Sequence, residues 1–85
     1  MRITAALTHE QGQDFVIVLV KHHVIRNPSL REELLADCEL TFGVRATLMG
    51  ERRHETWGHR DIVRWLEGVC IEQLPWAEYT LSRAV

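Results

Sequence analysis

The run Phe15-Val16-Ile17-Val18-Leu19-Val20 constrains this chain more than any other segment. Six successive apolar residues, closed by Asp14 on one side and Lys21-His22-His23 on the other, suit a strand covered on both faces, because alternate side chains of a strand point to opposite sides of its sheet. The run is far short of the roughly 20 apolar residues that cross a bilayer. It predicts a central strand and places Lys21, His22 and His23 at that strand's carboxyl end, on a rim of the sheet.

The flanking segments supply neighbours for this strand. Residues 2–8 set Ile3, Ala5 and Leu7 at every second position, the pattern of a strand with one buried face. Glu10-Gln11-Gly12-Gln13 is a polar turn, so the first strand and the second, residues 14–21, form an antiparallel hairpin. Asn27 with Pro28 at the first helical position, or Ser29 with Glu32 in a capping box, then starts a helix. Leu30, Leu34, Leu35, Cys38 and Phe42 form its apolar side, and Gly43 is a natural stop. Residues 44–49 read as a third strand with Val44, Ala46 and Leu48 on one side, completing a βαβ unit whose two strands run parallel.

Beyond it, residues 54–57 suggest a short antiparallel fourth strand. Residues 59–67 suggest a helix with Ile62, Val63, Trp65 and Leu66 near one face. Pro75 biases Leu74 away from helix, and residues 76–81 read either as an edge strand or as a strap over the second sheet face, with residues 82–85 frayed. The expectation is one α/β domain over residues 1–85, bordering on α+β. Its order is β-β-α-β-(β)-α, with two helices on a mixed sheet of three or four strands.

Composition narrows the class. With 46% hydrophobic and 26% charged residues the chain matches globular averages and excludes a disordered tail or a fibrous repeat. A net charge of −2 is no electrostatic footprint for wholesale binding to nucleic acid or acidic membranes, so neither is an expected partner; a protein partner or self-association is. Charge is nonetheless uneven. Glu32, Glu33, Asp37 and Glu39 cluster in the first helix, whereas Arg45, Arg52, Arg53, Arg60 and Arg64 gather in the later part. The amino end lacks a secretory h-region, which points to a cytoplasmic, bacterial-type protein. Cys38 and Cys70 have no Cys-x-x-Cys spacing and read as small buried hydrophobes; only geometry can decide a disulfide between them.

Residues 58–66, Gly-His-Arg-Asp-Ile-Val-Arg-Trp-Leu, and 74–81, Leu-Pro-Trp-Ala-Glu-Tyr-Thr-Leu, together with the central strand, resemble a group of small uncharacterised bacterial proteins. The resemblance implies a compact α/β domain. It carries no activity, cofactor or functional residue.

The candidate site follows from topology. Parallel second and third strands bring Lys21, His22 and His23 to the same rim as Arg52 and Arg53, beside the first helix's amino end, and ligands of open α/β sheets gather outside strand carboxyl ends. These five residues are the candidate anion- or partner-binding group. His22 and His23 with His54 or Glu51 are a poorer metal set, because adjacent histidines in a strand point apart. No metal and no cofactor is expected. Ser29, His22 and Asp61 are the residue types of a catalytic triad, but no nucleophile elbow accompanies them and no catalytic residue is assigned. Trp65 and Trp76 read as core, and Trp57, near Arg52, Arg53 and Arg60, as an interface aromatic. The function that fits is a small non-enzymatic protein- or ligand-binding module. The alternatives are a weak anion or nucleic-acid binder using the basic rim, and an unidentified small enzyme.

Overall fold

Val20 and Gly50 lie side by side at the ends of two parallel strands, and the remaining elements are arranged around that pairing. The computed structural model describes residues 2–10, 12–52 and 54–81. The chain runs β1 (Arg2–Glu10), β2 (Gln13–Val20), α1 (His22–Ile25), α2 (Pro28–Phe42), β3 (Arg45–Gly50), β4 (Thr56–Gly58), α3 (Arg60–Leu66), a 3₁₀ turn (Ile71–Gln73) and β5 (Trp76–Thr80). The strands form one mixed sheet of order β4-β3-β2-β1-β5, with β2 and β3 parallel and every other neighbouring pair antiparallel.

The expected mixed sheet with helices packed on it is therefore present, and it has five strands because residues 76–80 take the edge-strand option. β5 pairs with β1, Ala77 opposite Ala5. The role of strap falls to the segment before it, where Val69, Ile71 and Leu74 pack on the second sheet face. Residues 82–85, expected to fray, lie outside the described residues.

β2 is buried as its composition requires. Val16, Val18 and Val20 face α2 among Ile3, Ala5, Leu34, Cys38 and Leu48. Phe15 and Ile17 face α3 among Met49, Ile62 and Leu66, and Trp65 stands edge-on to Phe15 with ring centroids 5.2 Å apart. Full burial of such side chains contributes about 1.5–3 kcal/mol each before chain entropy is set against it. Trp76 packs on the same face and its indole N–H donates to the Ile71 carbonyl at 2.8 Å.

Three local expectations change. The second strand ends at Val20, and Lys21 is the extended residue before the single-turn α1, which holds His22 and His23. That turn carries Ile25 back into the core, next to Gly50, where a continued strand would have run into solvent. Leu7, expected inside, is 41% exposed, whereas Ala6 on the opposite face is fully buried. Ala6 is paired with Trp76, which packs on the second sheet face, whereas Leu7 lies toward the hairpin end of β1. Cys38 is buried as expected, but Cys70 is exposed, because its neighbours Val69 and Ile71 take the core-facing positions around the turn; both thiols are free.

Of the two possible starts for α2, Asn27 is used. Its Oδ1 accepts from the Leu30 N–H at 3.2 Å, Pro28 opens the helix, and Gly43 closes it. At the far edge Gly58 has φ +155° and lies so close to β3 that a Cβ would sit 2.8 Å from Thr47 Oγ1 and 2.9 Å from Thr47 Cα. The second of these is backbone and cannot swing aside. Gly58→Ala is expected to lower stability by about 2–3 kcal/mol in urea denaturation, through strain and loss of β4 pairing. Unchanged stability would show that this edge yields freely.

Candidate functional site

Because β2 and β3 run the same way, their carboxyl ends open on one rim, where the Glu51 N–H donates to the Val20 carbonyl at 2.9 Å. Lys21, just before α1, and His23, within it, are both exposed and His22 is half-buried; from the turn after β3 comes Arg52, exposed. Arg53 lies outside the described residues. The hairpin adds a group the sequence reading left out. The register of Thr4 opposite Leu19, carried two residues further, sets Arg2 level with Lys21.

A cavity of about 350 Å³ opens at this rim. Ile3, Val20, Val24 and Leu34 supply its apolar wall, and Arg2, Thr4, Lys21, His23 and Glu51 its polar mouth. The structure thus brings Lys21 and His23 of the candidate group together with Arg2, while His22 and Arg52 share the rim without lining the cavity. The amino end of α2, expected to present free N–H groups here, contributes none of the lining residues. α1 is interposed, and Leu34, well inside α2, is what reaches the cavity. Two permanent cations against one carboxylate leave the mouth weakly positive. Arg2 is also drawn toward Glu78 of β5, 3.7 Å away. The signal for Arg2 was present in the sequence: an antiparallel hairpin must return the start of β1 to the carboxyl end of β2.

The opposite rim is occupied by structural polar contacts. Arg45 at the start of β3 donates to both carboxylate oxygens of Asp61 in α3, at 2.9 and 3.5 Å, and to Gln13 Oε1 in β2. Glu39 of α2 accepts from the Ala46 N–H at 3.3 Å and meets His59 Nε2 at 3.1 Å, joining α2 to the residue that precedes α3. Asp61 is therefore held at the amino ends of β2 and β3, whereas His22 stands beyond their carboxyl ends, so the triad named from the sequence is not assembled.

Nor do the histidines converge. His54, in the left-handed region at φ 53°, lines a second cavity of about 380 Å³ with Glu55 and Glu67, between β4 and α3 on the other sheet face. Among the described residues no group of three or more His, Cys, Asp or Glu side chains is placed to hold a metal ion. Cys38 is wholly buried, and that burial, with Asp37 and Glu39 beside it, pushes its thiol up to about 12, away from the thiolate form. Cys70 Sγ lies 3.3 Å from the Glu72 carboxylate and donates to it.

Trp57 is 39% exposed, and the cation that stacks on it among the described residues comes from α2, distant in sequence. The Arg31 guanidinium, from the first turns of α2, lies 3.6 Å over its ring and also donates to the Ile25 carbonyl at 3.0 Å. Such a contact contributes about 0.5–2 kcal/mol and ties β4 to α2, so much of the ring serves the fold.

Set against protein-family models, curated proteins and solved structures, the chain matches none.

The Arg45 hydrogen bond, with help from the Arg45 charge and backbone N–H groups at the start of α3, holds the Asp61 carboxyl below the usual carboxylate value. A depressed native pKa contributes stability that is complete above the unfolded value, about 3.9, and is lost as pH falls through the native value. Asp61→Asn is therefore expected to lower stability at neutral pH, and the gap from the parent chain should close as both are titrated below about pH 4. Urea midpoints across that range check it; a gap that stays constant with pH would contradict the assignment.

Proposed function

We propose that this chain is a small non-enzymatic ligand-binding module. Its site is the cavity between β1, β2, α1 and α2, and its ligand is a small anion with an apolar portion. One observation carries the reading: Arg2, Lys21 and His23, drawn from two separate segments, ring the mouth of a cavity walled by Ile3, Val20, Val24 and Leu34. Apolar walls with a few polar groups at the mouth are the usual form of a small-molecule site, and about 350 Å³ lies at the lower end of the range for such sites. A carboxylate at the mouth would meet Lys21 and Arg2, with its hydrocarbon part against the aliphatic wall. Such a module acts by binding: Lys21 and Arg2 fix the charged end and the wall selects length and shape. A reducing, cytoplasmic setting is part of the proposal, in keeping with two free thiols.

Titration of the isotope-labelled chain with octanoate, and separately with inorganic phosphate, tests this by amide chemical shifts. Octanoate is expected to shift residues 2–4 and 19–24 saturably while leaving the Arg45–Asp61 rim unchanged. Phosphate should act more weakly, for want of an apolar part. Lys21→Ala should weaken octanoate binding by about threefold or more, and Glu51→Gln should strengthen it. No saturable shift at these residues with either anion overturns the proposal.

A further inference from the structure

Among the described residues, β5 forms an edge of the sheet with no strand beyond it. It is the last strand in the order, its partner is β1, and it runs five residues without a proline or a lysine. Natural sheets guard such edges with lysine, proline, bulges or very short strands. The opposite edge meets that rule, because β4 has three residues and ends at the crowded Gly58. β5 does not. Its single carboxylate, Glu78, is balanced by Arg2 on the neighbouring strand.

We propose that β5 pairs antiparallel with β5 of a second copy of this chain, about a two-fold axis through Tyr79, joining two five-stranded sheets into one of ten strands. Residues directly opposite in such a pair must share a face, so the axis passes where one residue meets its own counterpart. Centring on Glu78 would oppose two carboxylates. Centring on Ala77 would draw Pro75, which has no N–H, into the ladder opposite Tyr79. Centring on Tyr79 avoids both and sets Glu78 opposite Thr80 of the second copy.

Charge then complements across the seam. Arg2 is the β1 partner of Thr80, so it falls in the same cross-strand row as Glu78 of the other copy, two strand spacings or about 10 Å away between backbones. The two extended side chains span that gap, and each Glu78 would stand between its own Arg2 and that of the second copy. On the other sheet face Tyr79 is half-buried, edge-on to Phe42 with centroids 5.0 Å apart. Two such pairs meeting at the axis extend one aromatic row through the join. The arrangement consumes both β5 edges and leaves only the short β4 edges, so it closes at two copies.

Sedimentation velocity of the full chain over a concentration series from low micromolar to near millimolar tests the association. A dimer is expected, with a dissociation constant raised about tenfold or more by Glu78→Lys and restored when Arg2→Glu is added. The register is tested in a Cys70→Ser background. Mild oxidation should link Tyr79→Cys chains into disulfide dimers and leave Glu78→Cys chains unlinked. Circular dichroism of each variant confirms that it folds. A parent chain that stays monomeric throughout overturns the proposal, as does a dimer indifferent to Glu78→Lys, or one in which Glu78→Cys links and Tyr79→Cys does not.

Discussion

The two-sided burial of β2 is the constraint on which the rest of the structure depends. Val16, Ile17 and Val18 are wholly inaccessible, with alternate side chains directed to opposite faces, so the strand is stable only where both faces are covered and both edges paired. β1 meets one edge through a tight hairpin. The other edge is met in parallel by β3, and a parallel neighbour requires a crossover long enough to return the chain to its starting end. α1 and α2 make that crossover and, in crossing, cover one face. The second face is left to the seven-residue α3 and to residues 69–74, a thinner cover that leaves the cavity beside His54 and Glu55.

The same connectivity sorts polar chemistry between the two rims. Gln13, Arg45, Asp61, Glu39 and His59 meet at the amino ends of β2 and β3, and their contacts bind the start of α3 to the sheet and to α2. At the carboxyl ends three chain segments arrive together: the start of β1 with Arg2, the exit of β2 with Lys21 and His23, and the exit of β3 with Glu51 and Arg52. A hairpin alone would have delivered two of these. The parallel crossover delivers the third, and α1 pulls Val24 and Ile25 inward so that the basic mouth acquires an apolar wall.

Much of the candidate site is legible in the sequence. The common rim follows from recognising β2 as a central strand and residues 44–49 as its parallel neighbour, both of which rest on local hydrophobic pattern. Arg2 follows from the hairpin by register arithmetic. Other features were not legible, because they depend on contacts between residues distant in sequence. Arg31 covers Trp57 only because α2 crosses the sheet on the side where β4 presents that ring. Cys70 turns outward because Val69 and Ile71 already occupy the space against α3, a competition that its apolar neighbours cannot reveal. His22 and His23 were placed on a strand end, whereas the need to bury Ile25 winds them into a helical turn.

By itself the sequence determined the hairpin, the parallel βαβ unit and a helix opening at Asn27 or Ser29 and closing at Gly43. Each is encoded in short-range periodicity, in a turn, or in a cap whose hydrogen bond closes within a few residues. Only the tertiary structure decided that residues 76–80 join the sheet as a fifth strand, which basic residues line a cavity, and which strands form the two edges of the sheet. Those outcomes turn on where separate apolar surfaces find room to be buried, and that is a property of the assembled packing that no local stretch of residues contains.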